Sequence, residues 1–262
     1  MSKVDNNHGL MLETRDGVAW IEINRPEHMN ALEPEGFLAL AALAEEAEVR
    51  EDVRVIVFSG AGGRAFSAGI DVKAVMAKGD ERFPAPMRGD ARNPFERIIE
   101  INKPTIACVE GVCMGAGADL AMACDLRIAT DTLRFACSEA KVGMGAHFAS
   151  VILPRLIPRA LALELLYTGR LMIPEEGLTH GFLNSVLPAS QVRTVVRALA
   201  ETISANAPLT VRRCKEASTK SMGLPLAAAM RLNVGPDPYT SEDRIEGMTA
   251  FIEKRPPNFK GR

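Results

Sequence analysis

The spacing of apolar and polar positions divides this chain into strands and helices. Val18 to Ile23 is a short apolar run closed by Asn24-Arg25-Pro26, which predicts a strand ending in a turn. Pro34 to Val49 is rich in Ala and Leu with acidic interruptions, which predicts a helix. Val53 to Gly60 is almost continuously β-branched, the pattern of a strand buried on both faces, and Gly60-Ala-Gly-Gly-Arg64 breaks it. Ile106 to Glu110 and Leu126 to Ala129 predict further strands, with a helix over Gly115 to Cys124 between them. Strands that alternate with helices point to an α/β core. Residues 79–94 are rich in Pro, Arg and Asp without apolar periodicity and read as a mobile loop beside the site. From Ser190 onward the pattern is mostly helical, with Val192, Val195, Val196 and Leu199 at helical spacing. The expected division is therefore a core over 1–190 and a C-terminal helical region over 191–262.

Composition narrows the function classes. The 262 residues are 47% hydrophobic, enough for a sizeable core. A net charge of −2 and a pI near 6.2 give no basic footprint for nucleic acid. No apolar run approaches the roughly 18 residues of a membrane span, and Met1 to Leu12 lacks a signal-peptide core. A cytoplasmic location is expected. The five cysteines are an odd set, mostly inside apolar segments, and read as reduced core residues. None is spaced Cys-x-x-Cys and the four histidines are scattered, so no metal site is expected.

The chemistry concentrates in two glycine-rich loops. Gly111 to Gly117 follows the apolar run Ile106 to Val109 and opens a helix-like segment rich in Ala, Leu and Met. Such a loop presents backbone N–H groups at a helix N-terminus, where negative charge is favoured. Gly115-x-Gly117 lacks the third glycine of a dinucleotide fingerprint. The second loop is Ala65-Phe-Ser-Ala-Gly-Ile-Asp-Val-Lys73. Two carboxylates accompany them: Asp119, three residues inside the helix start, and Glu139, in Phe135-Ala-Cys-Ser-Glu-Ala-Lys-Val-Gly143. Taken alone, Asp119 also reads as a helix cap and Glu139 as half of a surface ion pair.

From Gly17-Val-Ala-Trp-Ile-Glu-Ile-Asn-Arg-Pro26 to Phe251-Ile-Glu-Lys-Arg-Pro-Pro-Asn-Phe-Lys260, these blocks resemble, in order, the crotonase (enoyl-CoA hydratase/isomerase) superfamily. The resemblance implies a ββα spiral core with a C-terminal helical trimerisation subdomain, assembled as a trimer or as two stacked trimers. It implies an oxyanion hole made by the N–H groups of Ile70 and Ala116, which bind a thioester carbonyl as it becomes an enolate. Met29, Ala68, Gly69, Ile70, Asp71, Lys73 and Ala116 fall on the implied acyl-CoA path. Phe251 and Lys254 match residues that reach the CoA of a neighbouring subunit. Glu139 and Asp119 occupy the positions of the two catalytic glutamates of the hydratases, although Asp119 is one methylene shorter and reaches about 1.5 Å less far.

Asp followed by Glu at this spacing also resembles dienoyl-CoA isomerases, in which a third carboxylate lies about eight residues beyond the Glu. His147 stands near that place and is a candidate proton acceptor. Met144, His147 and Phe148 are bulkier than the glycine-rich acyl-pocket segment of many hydratases. The expected activity is hydration of a 2-enoyl-CoA, a lyase reaction with the CoA thioester as substrate and no redox cofactor or metal. Dienoyl-CoA isomerisation or other enolate chemistry is the alternative, and non-catalytic acyl-CoA binding is the rival from another class.

Overall fold

In the computed structural model, which describes residues 3–5, 7–77, 79 and 92–262, the chain enters as an antiparallel meander. Its strands are β1 (Lys3–Asp5), β2 (Leu10–Arg15) and β3 (Val18–Ile23). Asp16 and Gly17 join β2 to β3 with φ of 51° and 77°, the left-handed pair that a two-residue hairpin favours. Helix α1 (Pro34–Val49) follows, with the bounds its apolar pattern predicts.

The chain then repeats one unit three times: a long strand, a three-residue strand, and a helix. The first is β4 (Val55–Gly60), β5 (Ala65–Ser67) and α2 (Val72–Ala77). After α3 (Pro94–Ile99) come β6 (Thr105–Val109), β7 (Val112–Met114) and α4 (Ala116–Ala123). The third is β8 (Leu126–Thr130), β9 (Arg134–Ala136) and, after a 3-10 turn over Glu139–Lys141, α5 (His147–Leu156). Long strands join one seven-stranded sheet, ordered β1-β2-β3-β4-β6-β8-β10 and parallel from β3 onward. The short strands form a second, parallel sheet ordered β5-β7-β9. Helices α6 (Arg159–Thr168) and α7 (Pro174–Thr179) lead to β10 (Ser185–Leu187). Then follow α8 (Ala189–Ala205), α9 (Pro208–Lys220), α10 (Leu226–Ala229) and α11 (Glu242–Glu253).

The large sheet is covered on both faces, which explains why its central strands read as unbroken apolar runs. Ile21, Ile56, Phe58, Ala107 and Ala129 point into the main core with α1, α4 and α5. Their neighbours Trp20, Val55, Val57, Ile106, Cys108 and Ile128 point the other way, onto Val192, Val196 and Ala200 of α8. Trp20 Nε1 donates to Ser59 Oγ at 2.6 Å within this layer, and Arg197 of α8 lies over its ring. The seam of α8 is thus 192, 196 and 200; Val195 is exposed and Leu199 only packs against the edge. So the first helix of the region beginning at 191 is spent on the chain's own sheet. The later helices keep large apolar side chains on the surface: Leu226, Met230, Ile245, Met248, Phe251 and Ile252.

Most of the loop expected over 79–94 lies outside the described residues, and Pro94 at its end opens α3. Cys108, Cys113, Cys124 and Cys137 are free and buried, and Cys214 is free and exposed. Among the described residues no helix is long and apolar enough to cross a membrane, and no group of three or more His, Cys, Asp or Glu could hold a metal ion.

The layer between sheet and α8 makes a stability prediction. Val196→Asp places an unpaired charge where the native residue has no exposed surface, a change expected to cost about 3 kcal/mol or more. Urea unfolding of this variant and of Val195→Asp should show a large fall in midpoint only for the first.

Candidate active site

Three segments leave the carboxyl ends of the three short parallel strands and meet there. Ala68 to Ile70 follows β5, Gly115 and Ala116 follow β7, and Cys137 to Glu139 follows β9. Because β7 is the middle strand, the Ala116 amide lies between the Ile70 loop and Glu139. Adjacent strands in a sheet sit about 4.8 Å apart, so the sheet itself sets the spacing of the site. Gly115 N–H donates to Ala136 O at 3.1 Å, which fastens the second loop to the end of β9.

The first two loops interlock. A Cβ built on Gly69 would stand 2.8 Å from Met114 O and 3.0 Å from Ala116 N, and Gly69 has φ of +93°. Only glycine fits a backbone that close at that dihedral. The contact places the Ile70 amide next to the Ala116 amide. Within the first loop, Ala68 N–H donates to Met29 O at 3.0 Å, Gly69 N–H to Ser67 Oγ at 3.1 Å and Asp71 N–H to Leu32 O at 2.9 Å. None of the loop's hydrogen bonds among the described residues uses the Ile70 N–H. Ala116 is the first residue of α4, so its N–H has no partner inside the helix. Neither amide therefore has a hydrogen-bond partner within the protein among the described residues.

The carboxylates flank the second loop. Asp119 sits on the first turn of α4 and Glu139 begins the 3-10 turn after β9. A Cβ on Gly115 would be 3.6 Å from Glu139 Oε1, so this oxygen lies directly beside the loop. Asp119 Oδ1 and Glu139 Oε2 are both shielded from solvent and without a hydrogen-bond partner. Burial pushes the Asp119 carboxyl well above its ordinary range, and the charge of Glu139 adds to the shift. Burial also raises Glu139. Ordinary surface pairing and helix capping leave carboxylate oxygens bonded; these two are not, which sets them apart from a surface ion pair and a helix cap.

The supporting residues were not singled out from the sequence. Asn30 is fully buried with φ of 55°; its Nδ2 donates to Ala61 O at 3.0 Å and Ala65 O at 2.7 Å, and its Oδ1 accepts from Arg25 N–H at 2.9 Å. It thereby holds both ends of the segment between β4 and β5. The only local signal is a short polar side chain between apolar neighbours in Met29-Asn30-Ala31-Leu32. From α8, Arg193 donates to Gly60 O at 2.6 Å and Glu110 Oε2 at 2.8 Å, the residues from which the two loops start. Glu110 is 5% exposed.

Other sequence-derived candidates are placed less uniformly. Met29, Ala68, Gly69, Ile70 and Ala116 come together. Asp71 follows directly, but its oxygens cap α2 through Ala74 N–H at 3.1 Å and pair with Arg25 at 3.4 Å. Lys73 is exposed on α2. His147 is the exposed first residue of α5, and its ring folds back on Gly145, where a Cβ would be 2.9 Å from Nε2. No hydrogen bond or ion pair among the described residues joins it to Asp119 or Glu139. Phe251, 85% exposed, and Lys254 stand at the end of α11, which packs on the 238–240 turn. The tail beyond them returns to the entering end of β4, where Arg54 donates to Phe259 O. No hydrogen bond or ion pair among the described residues joins Phe251 or Lys254 to the loops at 68–71 and 115–116.

Comparison with known proteins adds independent support. The family model for enoyl-CoA hydratase/isomerase matches residues 13–262. An (E)-benzylidenesuccinyl-CoA hydratase of Thauera aromatica is 35% identical over 95% of this chain and 98% of that protein. A protein of Thermus thermophilus described as a putative enoyl-CoA hydratase is also 35% identical, over 95% of this chain and all of that protein. Among solved structures, an enoyl-CoA hydratase from Mycobacterium tuberculosis superimposes with a TM-score of 0.86 at 33% identity, covering 98% of this chain and 100% of that one.

The raised Asp119 carboxyl has a consequence for stability. A group that holds its proton more tightly when folded stabilises the fold below its unfolded value near 3.8 and loses that contribution as pH rises through the folded value. Between those two values the fold bears the cost of retaining a proton that the unfolded chain releases. Asp119→Asn removes that cost, so its melting temperature should exceed that of the parent at pH 8 by about 2–4 °C, equivalent to roughly 1 kcal/mol. The difference should shrink as pH approaches 4. Differential scanning calorimetry across this range provides the measurement.

Proposed function

The chain belongs to the enoyl-CoA hydratase/isomerase family, and on that premise we propose that it adds water across the double bond of a 2-enoyl-CoA to give a 3-hydroxyacyl-CoA. The single observation that carries this reading is the pair of unpartnered carboxyl oxygens on one side of two free, adjacent amides. An acyl-CoA binder without chemistry needs the amides; it has no use for two buried acids that raise the energy of its own fold.

The thioester oxygen accepts hydrogen bonds from the Ile70 and Ala116 N–H groups. Water held by Glu139 and Asp119 attacks C3. Glu139, the ionised member, takes a proton from that water as the C–O bond forms and delivers it to C2 as the enolate collapses. Asp119 stays neutral because burial and the Glu139 charge oppose its ionisation, and it orients the water by hydrogen bonding. Water loses H⁺ and OH⁻ to adjacent carbons, the carboxyl pair ends with the protons it began with, and no electrons leave the substrate. The chemistry therefore calls for no redox cofactor or metal. The amides act when negative charge develops on oxygen, and removal of one such donor typically costs about 10²–10³ in rate. In this scheme Met29 O is occupied by Ala68 N–H, Ala68 and Gly69 shape the thioester path, Lys73 lies near it, and Asp71 positions the loop.

A homotrimer, or two stacked trimers, completes the site. The exposed apolar faces of α10 and α11 supply the surface for association, and a neighbour's approach brings Phe251 and Lys254 to a CoA that the same chain cannot reach. An aromatic ring beside adenine and an ammonium beside phosphate suit that ligand. The working compartment in this proposal is the cytoplasm.

The decisive assay follows loss of the enoyl-thioester absorbance of crotonyl-CoA. Glu139→Gln should reduce kcat by at least ~10² while leaving acyl-CoA affinity within a few-fold. Undiminished turnover by this variant would remove Glu139 from the mechanism. Running His147→Ala and a 3,5-dienoyl-CoA alongside separates hydration from a dienoyl shift: hydration untouched by the His147 change, with no isomerised product, is the expected result.

Assembly has its own test. Sedimentation equilibrium should give three or six times the 28.3 kDa of one chain. A monomer that binds acyl-CoA with undiminished affinity would contradict the shared site.

A further inference from the structure

At the end of the large sheet opposite the two amides, a cavity of about 380 Å³ opens between the C-terminus of α1, the residues entering β4 and β6, the α8–α9 junction and the C-terminal tail. We propose that this cavity binds a polyphosphate-type anion through Arg212, Lys103 and Lys260. The lining carries six cationic residues and two carboxylates; with the ion-pair partners Asp52 and Glu242 counted, the surplus is two positive charges. Three of the cations are satisfied by the protein. Arg50 pairs with Asp52 at 2.7 Å, Arg54 donates to Ser204 O at 2.9 Å and to Phe259 O, and Arg262 pairs with Glu242 at 3.2 Å.

The other three are not. Arg212 Nε is shielded from solvent and has no hydrogen-bond partner, a deficit that a native fold seldom leaves in a charged group. Lys103 is 7% exposed; its Nζ donates to Ala47 O at 3.1 Å and Arg50 O at 2.6 Å, which leaves one of its three N–H groups free. Burial and then the nearby Arg212 charge lower the Lys103 ammonium to about 8, so the two cations destabilise each other. Lys260 lies exposed at the mouth, without an ion pair among the described residues.

A dianion or trianion between these groups relieves the repulsion and meets the outer edge of the Arg212 guanidinium, for which no hydrogen bond or ion pair occurs among the described residues. Phosphate oxygens suit a guanidinium fork better than chloride does, and a single carboxylate offsets only half of the surplus, whereas a phosphate-type dianion matches it. The site is remote from the acids: β4 spans Val55–Gly60, so its entering and leaving ends are roughly 20 Å apart.

Isothermal titration calorimetry of the full chain with inorganic pyrophosphate, at fixed ionic strength, should give saturable binding of one anion per chain. Arg212→Gln and Lys260→Gln should each weaken it, the first on the order of tenfold or more, while crotonyl-CoA turnover stays within twofold of the parent. An ATP arm identifies the source: ATP no tighter than pyrophosphate indicates a bare polyphosphate, and ATP tighter by tenfold and equally dependent on Arg212 indicates a nucleoside-borne one. Absence of binding to either probe, or binding unchanged in Arg212→Gln, overturns the proposal, the latter because it would place the anion elsewhere. If Arg212→Gln does not fold, Lys260→Gln supplies the same reading: undiminished affinity overturns it.

Discussion

The close approach of Gly69 to the Met114–Ala116 backbone is the contact on which the rest of the site depends. It exists because three-residue strands β5 and β7 pair in parallel, and pairing in a sheet fixes the distance between the segments that leave it. An added methyl group at Gly69 would meet backbone, which cannot move aside without unpairing the strands. Two amides are held side by side in this way before any ligand arrives. In the proposed hydration, donors fixed in this way would need no reorganisation as charge develops on the thioester oxygen.

Around this contact the protein tolerates arrangements that cost stability. Asp119 and Glu139 are half-buried, and each keeps one solvent-shielded oxygen with no hydrogen-bond partner among the described residues. Asn30 and Met29 adopt φ of 55° and 53°, a region that side chains other than glycine visit infrequently. Asn30 compensates with hydrogen bonds from both ends of its amide, so the local strain is exchanged for a fixed path of the loop between β4 and β5. Strain and unsatisfied acids occur together here because both serve a geometry that the chain would not choose for stability alone.

The C-terminal region divides its work. Helix α8 closes the back of the large sheet through Val192, Val196 and Ala200, and sends Arg193 through to Gly60 and Glu110. Core packing and loop support are thus joined in one helix. Helices α10 and α11 do the reverse and leave their apolar side chains uncovered. The tail then returns to the entering ends of the strands, where Asp243 accepts from Lys260 N–H at 2.6 Å and Gly261 N–H at 2.7 Å. That return places the tail beside the cationic cavity and away from the amides.

How much was legible in the sequence follows from how local each determinant is. The strands over Val18–Ile23 and within Val53–Gly60, and helix α1, were readable because apolar runs and helical periodicity are properties of consecutive residues. Glycine-rich loops and carboxylates at Asp119 and Glu139 were readable through their order along the chain. The strands β5, β7 and β9 were not, since three residues carry no period and exist as strands only by pairing with one another across tens of residues. The β2–β3 hairpin at Asp16-Gly17 was not read from the sequence either, since β2 gains its meaning only from pairing with β3. The raised proton affinity of Asp119, the lack of a partner for its Oδ1, the anchoring by Asn30 and Arg193, and the exposure of Phe251 were decided by tertiary structure alone. Burial, dielectric and close approach are properties of what surrounds a residue in space, whereas the sequence by itself determined which residues were available to be surrounded.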